Sequence, residues 1–116
     1  MTLSSLCPLL QGSIFASGPG FDATPIRHIV ASDLMSDVLV TRKEDFLLVT
    51  SLASDQMVRT ADLVGATGIV LVNGKPPPPS LVRLAKELDI SLVGSPLPKY
   101  ETCVAIGIAL QAGDTP

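Results

Sequence analysis

The chain predicts an α/β fold with a mostly parallel open sheet, and three apolar runs carry that reading. Phe46-Leu47-Leu48-Val49, Ile69-Val70-Leu71-Val72 and Ile90-Ser91-Leu92-Val93 are short, rich in branched residues and almost free of polar alternation. Strands buried on both faces have this composition, as in a parallel sheet covered by helices. Between the first two runs, Met57, Val58, Ala61 and Val64 fall at helical spacing, with Gly65 as a stop. Between the second and third, Leu81, Val82, Leu84, Ala85 and Leu88 repeat the spacing behind Ser80, a favourable N-cap. The runs begin roughly twenty residues apart, room for one crossover helix each. Two βαβ units with right-handed connections follow, in a sheet of two or three layers.

The first forty-five residues are less regular. Leu3, Leu6, Leu9 and Leu10 are spaced for a short helix that Gly12 can end, with Pro8 tolerable only near its first turn. Ser13-Ile14-Phe15-Ala16 reads as a short edge strand, residues 17–25 as a loop, and Ile26 to Ala31 as another strand. Ser32 to Asp37 caps and begins a short helix or turn, with Asp33 as its N-cap. Pro76 to Pro79 form a stiff connector, because each ring fixes φ and removes a donor. Such a run also suits an SH3-like groove, but as a linker it needs no partner. The last helix, Tyr100 to Leu110, is apolar around most of its circumference and requires cover on more than one side. A symmetric homodimer would supply that cover.

At 116 residues the chain is expected to form a single domain, 1–116, with its core over about residues 26–110. Hydrophobic residues make up 47% and charged residues 16%, a balance that excludes intrinsic disorder. Eight basic against eleven acidic residues give a net charge of −3, and the cations are scattered. With no basic face, no Trp and four aromatic residues in all, the chain is a poor candidate for binding nucleic acid. No apolar run approaches the ~18 residues of a membrane span, and the N-terminus lacks the basic residues of a signal peptide. Cys7 and Cys103 are far apart and flanked by no metal-ligand residue, which suits two free thiols. The expected location is cytoplasmic.

Chemistry-bearing motifs are few. His28, the one histidine, falls within a predicted strand. Nucleophile-elbow, dinucleotide-binding and P-loop glycine patterns are all missing. Asp33 and Asp37 stand four apart, as metal-binding carboxylates do on one helical face, yet nothing nearby completes a coordination sphere. Cys103 lies at the start of the last helix, where a small buried hydrophobe is the expected role. No catalytic residue, metal site or cofactor is expected.

The segments Phe46–Ser51, Asp55–Ala66 and Gly68–Gly74, followed by the proline linker and the helix leading to Ile90–Val93, resemble the DRTGG domain. The resemblance covers about residues 26–109. Ala31 to Leu39 and Met57 to Ala61 look most like its short stand-alone members, some of which are encoded beside iron-only hydrogenase components in anaerobic bacteria. The family resembles in turn the N-terminal domains of HPr kinase/phosphorylase, without the kinase P-loop, and of Mur ligases. Its Asp-Arg pair falls at Asp55-Gln56, with Arg59 one helical turn onward, and its Thr-Gly-Gly near Val72-Asn73-Gly74.

The resemblance implies a non-enzymatic regulatory or adaptor domain that dimerises and acts on a partner enzyme. The alternative is a sensor of a nucleotide or other small anionic ligand. In open parallel sheets, ligands bind beyond the carboxyl ends of the strands. Here those ends offer Thr50, Ser51, Asn73, Gly74, Lys75, Gly94 and Ser95, with Asp55 and Arg59 on the adjoining helix. A phosphotransfer or hydrolytic enzyme using Asp33 or Asp37 is the third and weakest reading.

Overall fold

A computed structural model of the chain describes residues 1–113. The elements are α1 (Leu3–Leu10), β1 (Ser13–Ala16), β2 (His28–Ala31), α2 (Met35–Leu39), β3 (Phe46–Thr50), α3 (Asp55–Leu63), β4 (Gly68–Leu71), α4 (Pro79–Glu87), β5 (Ser91–Gly94) and α5 (Lys99–Gly113). The sheet order is β1-β5-β4-β3-β2. β2 to β5 are parallel neighbours, and β1 pairs antiparallel with β5 at one edge. The sheet is therefore mixed, with the parallel βαβ block the sequence predicts and one antiparallel edge.

The apolar runs become strands because both of their faces are covered. Phe46 and Leu48 point into a core with α2, α3 and α4, built on Val38, Met57, Val58, Ala61, Leu81, Leu84 and Ala85. Leu47 and Val49 point the other way, into a core with α1 and α5 around Leu3, Leu6, Leu10 and Ile106. The result is three layers, helices on either side of the sheet. Burial of each large apolar side chain contributes about 1.5–3 kcal/mol. Residues 17–27 cross from one sheet edge to the other on the α1/α5 side. There Phe21 and Ile26 are buried, and the chain is held by bonds such as Ile26 N–H to Met1 C=O at 2.8 Å.

Several local expectations shift. Helix α1 ends on Gln11, which takes the left-handed conformation at φ 53°. Gly12 is small for another reason: a Cβ there would stand 2.7 Å from the Gly94 carbonyl oxygen. Pro8 lies inside α1 beyond its first turn, and Leu9 faces outward. β2 begins at His28 and not Ile26, because the Arg27 and His28 amides both turn to the Asp45 carbonyl. Ser80 is not the N-cap of α4. Pro78 holds that position and Pro79 opens the helix, where its missing N–H costs nothing. Asp33 is not a cap either, since α2 starts from Leu34 with no side-chain cap. The predicted stop at Gly65 follows α3 with φ 80°.

Candidate functional site

The carboxyl ends of β2, β3, β4 and β5 open at one end of the sheet, and the loops there carry a cluster of polar side chains. On the β2–β3 side they converge on Asp33. Its carboxylate accepts from the Thr50 hydroxyl at 2.9 Å, the Ser51 amide at 2.8 Å and the Ser51 hydroxyl at 2.6 Å. Lys99, at the start of α5, completes the set with an ion pair to the same carboxylate. Removal from water by itself raises the Asp33 carboxyl. The bonds from Lys99, from the Ser51 hydroxyl and amide, and from Thr50 outweigh that and hold it well below the usual carboxylate range. Lys99 thereby ties α5 to the loop after β2, across the end of the sheet.

A second polar knot sits after β5. The Ser95 and Thr102 hydroxyls share a 2.8 Å hydrogen bond, both buried, and Ser95 Oγ also accepts from the Leu97 amide. Asn73 and Gly74 turn the chain after β4 with φ 71° and 67°. Their amides donate to the Leu97 and Ser95 carbonyls at 2.8 and 2.9 Å. The loops after β4 and β5 are thus sewn together by the very amides that the sequence offered to an anion.

Two hollows flank the loop after β4. The first, about 210 Å³, is lined by Gln11, Ser13, Phe15, Gly74, Lys75, Pro76, Gly94, Ser95 and Pro96. The second, about 340 Å³, is lined by Ser51, Ala53, Leu71, Val72, Asn73, Lys75 and Pro76. Lys75 and Pro76 form the ridge between them. Phe15 enters the first hollow through a β-bulge: Ile14 pairs with Val93 and Ala16 with Leu92, leaving Phe15 as the extra residue. Bulges re-aim side chains in this way. The ring lies over Gly94, where a Cβ would stand 2.8 Å from Phe15 Cε2.

The nine residues proposed from sequence therefore part company. Ser51, Asn73, Gly74, Lys75, Gly94 and Ser95 border the hollows. Of these, Ser51 and Ser95 have hydroxyls already engaged, and the Asn73 and Gly74 amides are spent on neighbouring carbonyls. Thr50 is fully buried and bonded to Asp33. Asp55 and Arg59, on α3, border neither hollow. Sequence reading missed Lys99, and it missed Gln11, Ser13, Phe15, Pro76 and Pro96 as lining. A bulge and an antiparallel pairing have no periodic signature that would have exposed them.

Cys7 and Cys103 are free, and burial raises both thiols, with Lys99 opposing the shift at Cys103. Among the described residues no group of three or more His, Cys, Asp or Glu is placed to hold a metal ion, and no helix is long and apolar enough to cross a membrane.

No protein-family model matches the chain, and no curated protein matches it. Among solved structures, it is similar to the CBS and DRTGG domains of the regulatory region of a Clostridium perfringens pyrophosphatase, complexed with the activator diadenosine tetraphosphate. The TM-score is 0.75 at 12% identity, covering 90% of this chain and 45% of that one. The chain thus spans less than half of that structure, and identity this low speaks for the fold alone. That fold is DRTGG-like.

Proposed function

We propose that this chain is a non-enzymatic regulatory module that self-associates and acts on a partner enzyme. The observation that carries the reading is the outer face of α5, where Tyr100, Val104 and Ile108 stand one turn apart and are 75%, 40% and 63% exposed. The opposite side of the helix, with Thr102 and Ile106, is fully buried against the sheet. From Thr102 to Gly113 the helix carries no charged residue, so a second α5 packs on it without burying charge. The fold likeness to a regulatory region supports the same reading. So does Asp33: a carboxylate held ionised by four bonds is neither a proton donor at neutral pH nor a strong base. Sedimentation at micromolar concentration tests the association. A dimer that Ile108→Glu converts to a monomer is expected, and a wild-type monomer sinks the self-association.

A second reading, sensing of a small anionic ligand, is favoured by one specific feature. Lys75 is exposed on the ridge between the two hollows, with no ion pair or hydrogen bond from any described residue. The solved neighbour belongs to a region crystallised with a nucleotide activator, which is in keeping with it. Thermal shift of the chain with nucleotides checks this reading, and a Lys75→Ala variant with unchanged shifts would count against it.

A further inference from the structure

We propose that the first hollow is a ring-and-anion site. It takes one flat aromatic ring against Phe15, Pro76 and Pro96, joined to an anionic group held by Lys75. This deepens the sensing reading and rests on it.

Four observations lead there. Polar groups at the carboxyl end of the sheet are mostly bonded to one another, as at Asp33 and Ser95. Of the polar side chains that line the first hollow, Ser95 is bonded in this way, but those of Gln11, Ser13 and Lys75 make no hydrogen bond or ion pair with any described residue. Those three stand around an apolar surface of Phe15, Gly94, Pro76 and Pro96. Rigid apolar surfaces set beside convergent polar groups are the ingredients of small-molecule sites.

The β-bulge is the second, independent observation. An unbulged pairing would continue the ladder, and the extra residue costs it a partner at Phe15. The return is a ring that lines the hollow, packed so closely over Gly94 that a Cβ there would stand 2.8 Å from it. Thirdly, the proline rings of Pro76 and Pro96 are rigid apolar surfaces that lose no side-chain entropy on binding. Fourthly, size limits the ligand. Pockets that bury drug-sized molecules start at roughly 300 Å³, and this hollow is about 210 Å³. It takes a single ring. The rest of a larger ligand would pass over the Lys75–Pro76 ridge toward the second hollow, where Ser51 and Asn73 lie. Gln11 and Ser13 supply an amide and a hydroxyl for the polar edge of the ring, so a nitrogen heterocycle fits better than a hydrocarbon.

The test is calorimetric titration of the full chain with adenosine 5′-monophosphate, adenosine and inorganic phosphate as probes, alongside amide chemical shifts. The monophosphate is expected to bind about tenfold or more tighter than either fragment, since each part supplies contacts the other lacks. Phe15→Leu and Lys75→Gln should each weaken it about fivefold or more, with the largest shift changes at Phe15, Lys75 and Gly94. Lys75 is exposed, so its variant folds and keeps the test valid should Phe15→Leu be unstable. If phosphate binds as tightly as the monophosphate and depends on Lys75 alone, the ring site is wrong and anion sensing survives. If none of the three probes binds at millimolar concentration, both fall.

Discussion

On the β2–β3 side of the sheet's carboxyl end, Asp33 accepts from two hydroxyls, an amide and an ammonium, and every partner comes from another strand, loop or helix. On the β5–β1 side, the side chains of Gln11, Ser13 and Lys75 stand around a hollow with Phe15, Pro76 and Pro96 and bond to no described residue. Both regions sit beyond the same strand ends, where ligands of open α/β sheets are usually found. The difference teaches that position at the carboxyl end is not sufficient. A polar group satisfied inside the protein has little left to offer a ligand, because binding would first have to break a bond already made.

If the Asp33 cluster is a structural knot, its removal has the largest effect. Asp33→Ala strands the buried Thr50 hydroxyl without its acceptor and leaves Lys99 unpaired. We expect a loss of about 2 kcal/mol in urea unfolding, and an unchanged midpoint would break the comparison.

The same cluster makes an acid prediction. The Asp33 carboxyl is depressed in the folded state, so its contribution is complete above the ordinary carboxylate value of about 3.9. It is lost as pH falls below that value toward the folded one. The stability gap between wild type and Asp33→Asn should hold from neutral pH down to about 4 and shrink below it. A gap that widened in acid would mean the sign is wrong.

Next in size is Gly94→Ala. The new Cβ meets the Phe15 ring at 2.8 Å, and the ring must move to admit it. A cost of about 1–2 kcal/mol is expected from overpacking, readable by thermal melting together with altered ring-current shifts of Phe15. Lys99→Ala should cost less, about 0.5–1 kcal/mol, because its ion pair is partly exposed, 35% on the lysine side and 42% on the aspartate. Smallest of all is Lys75→Ala, expected within about 0.5 kcal/mol of wild type because the side chain bonds to nothing described. A larger effect would place Lys75 on the satisfied side of the comparison.

Legibility from sequence followed the range of each interaction. The cores of β3, β4 and β5 were readable because a strand covered on both faces must be apolar at every position. Met57, Val58 and Ala61 marked the buried face of α3, and Gly65 its end, by local periodicity alone. Errors gathered where a local rule met a distant partner. Asp33 has the residue type and position of an N-cap, but Lys99 lies far along the chain, and Thr50 and Ser51 lie at the end of the next strand and just beyond it. Together they outbid the nearby amides. Ser80 lost its cap to Pro78 because four prolines had already set the direction in which the chain enters α4. Asn73 and Gly74, named from sequence as candidates for an anion site, turn the chain instead, and their amides go to the loop after β5, which no local preference specifies.

By itself the sequence determined the layered α/β class, the parallel block from β3 to β5, the helices between those strands and an apolar last helix. Those follow from hydrophobic periodicity, which acts over a few residues. The tertiary structure decided that β2 pairs parallel with β3 at one edge and β1 antiparallel with β5 at the other, that Phe15 bulges over Gly94, and that α5 is pinned by Lys99 to Asp33. It also decided which polar groups at the strand ends are spent and which are free. That division depends on pairing between segments far apart in the chain, and such pairing exists only once the layers have packed.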